Sequence, residues 1–219
     1  MSSRFDPTLY LVTDPELARG RTLTDVVAAA VRGGVTLVQL RDKHADGRAL
    51  LETARALRAV LEPRGVPLIV NDRADVAHAA GAAGCHVGQS DLPAAAARAI
   101  LGPDAIVGVS IDAVAQARAI DPELVDYVAC GPFAATATKA DAGEAIGADG
   151  LSAIRKATTT VPLVAIGGID PRNVAEAVRA GADGIAVVSA IVAAADPEAA
   201  SRELRAAIEA AKAEVEKAL

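Results

Sequence analysis

An apolar, β-branched run followed by a segment of helical period recurs eight times along the chain, and no other feature of the sequence narrows the fold as far. The runs fall at 9–12, 37–40, 67–70, 85–87, 106–109, 127–130, 163–166 and 185–188. The helical segments fall at 23–32, 47–61, 74–80, 94–101, 113–120, 150–157, 173–180 and 197–219. Strands that alternate with helices in this way build parallel sheets. Eight such units in 219 residues predict an α/β fold of the (β/α)8 or TIM-barrel type, with a doubly wound open sheet as the alternative.

Composition supports that architecture. Hydrophobic residues make up 52% of the chain and are mostly Ala, Val, Leu and Ile, with two Phe, two Tyr and no Trp, so the core is one of branched aliphatics suited to strands covered on both faces. Arg32-Gly-Gly-Val, Ala80-Gly-Ala-Ala-Gly and Ala180-Gly-Ala-Asp-Gly each close a helix with glycine and open the next strand. No linker, charge block or shift of composition divides the chain, and residues 1–219 are expected to form one domain. The formal net charge of -6 argues against a nucleic-acid or anionic-membrane partner. The N-terminus lacks an apolar signal core, and no apolar run approaches the roughly 18 residues of a membrane span, so a cytoplasmic location is expected. Cys85 and Cys130 sit inside apolar runs without metal-ligand spacing and read as buried thiols in a reducing compartment. Oligomeric state, a homo-oligomer included, stays open.

A barrel of this kind carries its chemistry at the C-terminal ends of its strands. The third and fourth runs end in Asn71-Asp72 and Gly88-Gln89-Ser90-Asp91. Neighbouring parallel strands lie about 4.8 Å apart, so Asp72 and Asp91 are placed to share a hard divalent cation such as Mg2+, which often takes only one or two carboxylates and completes its shell with phosphate oxygens. The competing reading makes Asp72 a helix cap and Asp91 a turn residue before Pro93. Arg41, Lys43 and Lys139 bring positive charge to the same face of an acidic protein, enough with a metal to hold a pyrophosphate. Thr136-Ala-Thr-Lys-Ala-Asp lies in a long connection with hydroxyls and a mobile cation. Gly167, Gly168 and Ser189 follow the last two strands, where such barrels often bind phosphate through backbone N–H groups. His86 lies beside the aspartates in the fourth strand and reads as a packed, hydrogen-bonded histidine. No Ser/His/Asp or Cys/His arrangement, Walker loop or Gly-x-Gly-x-x-Gly stretch is present.

Seven pieces run in order over nearly the whole chain: Val38-Gln-Leu-Arg-Asp-Lys, Val70-Asn-Asp-Arg-Ala-Asp-Val-Ala, Cys85-His-Val-Gly-Gln-Ser-Asp-Leu-Pro, Val107-Gly-Val-Ser, Thr136-Ala-Thr-Lys-Ala-Asp, Ala165-Ile-Gly-Gly-Ile and Ala186-Val-Val-Ser-Ala-Ile. In them the chain resembles the thiamine-phosphate synthase family, also called thiamine-phosphate pyrophosphorylase. The resemblance implies a transferase that joins hydroxymethylpyrimidine diphosphate to hydroxyethylthiazole phosphate, giving thiamine phosphate and pyrophosphate. It implies Mg2+ on Asp72 and Asp91. It implies a pyrimidine diphosphate site at Gln39, Leu40, Arg41, Asp42, Lys43, Asn71, Ser110 and Lys139, of which Arg41, Lys43, Ser110 and Lys139 act in the chemistry. It implies a thiazole phosphate site at Thr136, Ala137, Thr138, Gly168, Val188 and Ser189.

Two places depart from the family pattern. Ser110 is followed by Ile111 and Asp112 where Thr-His or a similar polar pair is usual, and Ala134 and Ala135 precede Thr136 where an aromatic and a proline are usual. Two rival readings are a related thiazole tautomerase and a synthase-like barrel that binds phosphate ligands without turnover. Asp72, Asp91 and the Thr-x-Thr-Lys loop favour the synthase over the first.

Overall fold

The computed structural model describes residues 5–136 and 143–218. Within them eight parallel strands close in sequence order: β1 (Leu9–Val12), β2 (Leu37–Leu40), β3 (Leu68–Asn71), β4 (Gly84–Val87), β5 (Ile106–Ile111), β6 (Tyr127–Cys130), β7 (Leu163–Ile166) and β8 (Gly184–Val187). β8 pairs back onto β1 through Leu9–Ile185, Tyr10–Ala186 and Leu11–Val187, which makes a barrel and excludes the open sheet. Around it lie α1 (Leu23–Arg32), α2 (Gly47–Leu61), α3 (Ala74–Ala80), α4 (Ala94–Leu101), α5 (Val114–Arg118), α6 (Gly147–Ala157), α7 (Val174–Arg179), α8 (Ser189–Val192) and α9 (Pro197–Ala218). No helix among the described residues is long and apolar enough to cross a membrane.

Several differences from the expected boundaries fall at strand ends that open toward the site, alongside small shifts elsewhere such as α6 starting at Gly147 and α5 ending at Arg118. β3 includes Asn71 and β5 runs on through Ser110 and Ile111, so Asn71 and Ser110 sit in the ladder, paired with His86 and Ala129, rather than in loops. β8 stops at Val187, and Val188, expected inside it, is the N-cap position of the short helix α8. Four residues of helix are too few for periodicity to reveal.

Each strand divides its side chains between two cores. Leu9, Leu11, Val38, Leu40, Val70, Cys85, Val107 and Cys130 face outward against the helices, and both cysteines are buried and unbridged. Tyr10, Val12, Leu37, Ile69, Ile106, Tyr127, Val164 and Ala186 fill the barrel. Phe5 closes that inner core from the N-terminal ends of the strands, its ring 5.4 Å from that of Tyr127. Tyr10 meets Tyr127 edge-on at 5.8 Å. Burying each of these rings contributes on the order of 2–3 kcal/mol of transfer free energy. The space comes from glycine: Gly108 lies against the Tyr127 ring without a side chain of its own, and a Cβ there would stand 2.1 Å from Tyr127 Cζ.

Two aspartates repeat one device on the outer wall. Asp126, just before β6, accepts a bond from the Val107 N–H (2.8 Å) and pairs with Arg98; Asp183, just before β8, accepts from the Leu163 N–H (2.8 Å) and pairs with Arg155. In each case a carboxylate satisfies an N–H at the start of the preceding strand, the second of β5 and the first of β7, and an arginine from a helix locks it there.

Candidate active site

The C-terminal ends of the strands open into a cavity of about 1020 Å³. Gln39, Arg41, Lys43, Asn71, Asp72, Asp91 and Ser110 line one side of it, and Thr136, Gly168, Val188 and Ser189 line the other. Ala137, Thr138 and Lys139 lie outside the described residues. Leu40 does not reach the cavity: it alternates with Gln39 and Arg41 along β2 and is buried against the helices. Asp42 does not line it either, since its Oδ1 accepts the N–H groups of His44 (2.9 Å) and Ala45 (3.0 Å) and so shapes its own turn. A second, more open hollow at the opposite barrel end is lined by Arg32, Arg64 and Arg205 among others. There Arg32 pairs with Glu198 and Arg205 with Glu209, so it offers little unpaired positive charge.

Asp72 is held in an unusual conformation. Its φ is +61°, in the left-handed region that costs a non-glycine residue about 1 kcal/mol or more. Its N–H donates to the His86 carbonyl at 2.8 Å, one residue beyond the end of β3, and that bond fixes the bend. It does not cap α3, whose N-cap position is Arg73 and makes no side-chain cap bond. Asp91 does shape a turn: its Oδ2 accepts the Gly88 N–H at 2.8 Å, which folds the loop after β4 back on itself. That bond also keeps the carboxyl beside the strand end, so the turn reading and the site reading describe one geometry.

Burial first, and the facing Asp91 carboxyl second, push the Asp72 carboxyl up to about 6, while Lys43 and Arg41 pull the other way. Half-buried Asp72 beside the exposed Asp91 makes a site with surplus negative charge, and a cation relieves it. Among the described residues no third His, Cys, Asp or Glu joins them as a ligand group. Two oxygen donors, with room for water and phosphate oxygens, fit a hard divalent ion and not a metal that wants nitrogen or sulfur.

The cations are fixed through main chain. Arg41 N–H donates to Thr13 Oγ1 at 3.0 Å and Thr13 N–H to the Gln39 carbonyl at 2.9 Å, which ties the end of β2 to that of β1. Ser110 is fixed from below by His86, whose Nε2 lies 2.8 Å from its hydroxyl, and Gln89 Nε2 donates to its carbonyl at 2.7 Å. His86 is almost wholly buried, and burial pulls its imidazole down to about 4, so the ring is neutral. It is the packed, hydrogen-bonded histidine expected of it.

Across the cavity the chain turns on Gly167 and Gly168, with φ of +93° and +65°. A methyl group on Gly168 would stand 2.6 Å from the Ala134 carbonyl oxygen and 2.7 Å from that of Ala135. The loops after β6 and β7 therefore pack backbone to backbone, and Asn173 Nδ2 holds the Gly168 carbonyl at 2.8 Å. Gly168→Ala is expected to cost about 2 kcal/mol or more through strain and overlap, read from urea denaturation midpoints.

These features suit a ligand with two anionic ends, one against carboxylates and cations and one against glycine turns and a short helix. The thiamine monophosphate synthase family matches residues 9–191. The chain belongs to that family. Curated thiamine-phosphate synthases agree: that of Xanthobacter autotrophicus is 58% identical over 97% of this chain and 100% of its own length, and that of Azorhizobium caulinodans 54% identical over 95% and 98%. Among solved structures, the thiamine phosphate pyrophosphorylase of Pyrococcus furiosus superposes with a TM-score of 0.86 at 35% identity, covering 95% of this chain and 98% of its own. The activity is accordingly that of a thiamine-phosphate synthase, a transferase of thiamine biosynthesis acting on small molecules. Membership of this synthase family is consistent with a metal-assisted reaction.

The structure shows what surrounds the two departures from the family pattern. Ala134 and Ala135 do not leave the loop bare, because Pro132 and the buried Phe133 precede them and Phe133 N–H donates to the Ile166 carbonyl at 2.9 Å. The proline and aromatic sit two residues earlier. After Ser110, Ile111 is buried as the last residue of β5, and Asp112 lines the cavity with its N–H bonded to Gln116 Oε1 at 2.8 Å. The cavity thus has a further acid where a neutral polar pair was expected. Tyr10, which meets the cavity floor, and Tyr127, fully buried and bonded to it, were missed in the sequence. The available signal was that the chain's only two tyrosines both lie inside strands, where a buried hydroxyl needs a partner.

Proposed function

We propose that the cavity joins its two substrates by dissociative displacement, with Mg2+ on Asp72 and Asp91. Gln39, Arg41, Lys43, Asn71 and Ser110, with Lys139, bind the pyrimidine diphosphate; Thr136, Thr138, Gly168, Val188 and Ser189 bind the thiazole phosphate. The observation that carries this reading is the carboxyl pair beside Arg41 and Lys43, facing a glycine turn and the start of α8 across one opening. When bound, the metal supplies neutralisation of diphosphate charge.

The chain's own groups do the rest. Arg41 and Lys43 stabilise negative charge on the diphosphate as the bond from the pyrimidine methylene carbon to oxygen breaks, with the electron pair leaving on oxygen. The thiazole ring nitrogen, held by its phosphate at the β7 and β8 ends, then forms the new carbon–nitrogen bond with its own lone pair. No proton is removed from either reacting atom, so a general base is not required. The rim charges and glycine turns position, and the buried histidine stays neutral. One catalytic unit spanning residues 1–219 suffices for these roles.

The test is direct. Protein, both substrates and Mg2+ should give thiamine phosphate and pyrophosphate in equal amounts, and excess EDTA should stop formation of both. Calorimetric binding of thiazole phosphate with no product would instead favour the non-catalytic binder.

A further inference from the structure

Gln39, Tyr10, Tyr127, His86 and Ser110 come from five different strands and touch in series across the barrel interior. Gln39 Nε2 donates to the Tyr10 hydroxyl at 2.6 Å, and the Tyr10 and Tyr127 hydroxyls are 2.7 Å apart. Tyr127 Oη lies 3.0 Å from His86 Nδ1, and His86 Nε2 2.8 Å from Ser110 Oγ. The first four side chains are buried, while Ser110 is partly open on the cavity side.

A buried row of such groups has few ways to place its protons, because each hydroxyl brings one and a neutral imidazole brings one. Gln39 donates to Tyr10, and among the described residues the only acceptor beside the Tyr10 hydroxyl is Tyr127. Tyr10 must therefore donate to Tyr127, and Tyr127 to His86 Nδ1. The imidazole proton is left on Nε2 and goes to Ser110 Oγ. The Ser110 proton then has no acceptor within the row and is turned to the cavity. A doubly protonated imidazole breaks the scheme, since Tyr127 would have to donate back to Tyr10 and the Tyr10 proton would have no acceptor.

We propose that this row runs in one fixed direction, so that Tyr10, Tyr127 and His86 are positioning residues that make Ser110 a hydrogen-bond donor and Gln39 Oε1 an acceptor toward the pyrimidine diphosphate. The proposal rests on the assignment of Gln39 and Ser110 to that substrate. It sets specificity: the ligand must offer an N–H at Gln39 and a lone pair or anionic oxygen at Ser110. A ligand with the opposite pattern would leave polar groups facing their own kind.

The direction is read from the histidine tautomer. In full-length protein labelled with 15N-histidine, with the His86 signals assigned by comparison with His86→Gln, the imidazole is expected to carry its proton on Nε2 and to have a bare Nδ1. A proton on Nδ1 corresponds to the Gln39 amide turned round and every bond reversed, and it overturns the proposal, as does a doubly protonated ring at neutral pH. The positioning role is read separately. Tyr10→Phe and Tyr127→Phe each remove one link while keeping the ring, and each is expected to raise the KM for pyrimidine diphosphate about tenfold while the KM for thiazole phosphate moves less than about twofold. An unchanged pyrimidine KM, or an equal rise in both, overturns that role. The tautomer decides the direction of the row whether or not turnover is seen, so failure of the row and failure of the synthase mechanism give different results.

Discussion

Asp91→Asn is expected to leave the protein folded and to lower Mg2+-dependent turnover on the order of 10³-fold. The reason lies in the two jobs of one side chain. Asp91 Oδ2 accepts the Gly88 N–H, and an amide oxygen in its place accepts that bond equally, so the loop after β4 keeps its shape. What the amide lacks is charge, and charge is what a cation shared with Asp72 requires. Removing the Asp91 charge from beside half-buried Asp72 also relieves repulsion, because Asp91 helps to push Asp72 up to about 6. The variant should therefore melt no lower than the parent while failing to turn over, which is the pattern of a site that trades stability for function. Asp91→Ala separates the two jobs: it loses the loop bond as well and should melt about 2–4 °C lower for roughly 1 kcal/mol lost. Melting curves with and without Mg2+, alongside product formation, check both. Full turnover by Asp91→Asn, or an unchanged response of its melting temperature to Mg2+, would remove Asp91 from the metal site.

Much of this was legible along the chain because the signal was local. The strand runs could be placed since each is a short apolar stretch between helices of clear period, and barrel topology then put Arg41, Lys43, Asp72 and Asp91 on one rim. Local signal fails where a contact links distant residues. Nothing near Tyr10 announces that its hydroxyl bonds Tyr127, 117 residues on, and nothing near Leu40 separates it from its neighbours Gln39 and Arg41 except the phase of the strand. That phase was available: β2 alternates, so if Gln39 and Arg41 face the cavity, Leu40 cannot. The local bonds of Asp42 were hidden for a different reason. It belongs to the same polar run as Arg41 and Lys43, but its carboxyl is consumed by the turn that presents them. The left-handed bend at Asp72 was only weakly marked, since aspartate enters that region more readily than most residues but far less so than glycine.

Gly108→Ala is expected to destabilise the protein strongly, at about 3 kcal/mol or more, or roughly 6–12 °C in melting temperature. A Cβ at this position would lie 2.1 Å from Tyr127 Cζ and 2.4 Å from its Oη. A flexible side chain could swing aside, but Tyr127 is a rigid ring with neighbours on every side: Phe5 at 5.4 Å, Tyr10 at 5.8 Å and His86 at 5.5 Å between ring centroids. The backbone of β5 has no freedom either, since Gly108 is registered against His86 on one side and Tyr127 on the other. The overlap must then be relieved by displacing the tyrosine hydroxyl from its partners or by spreading the two strands, and each breaks buried hydrogen bonds. Tyr127→Leu removes the obstructing ring end, so Gly108→Ala with Tyr127→Leu should be more stable than the sum of the two single changes predicts, by about 1–3 kcal/mol of coupling. Denaturant unfolding of the four proteins measures that coupling. Strict additivity would mean that Gly108 is required for something other than the space occupied by Tyr127.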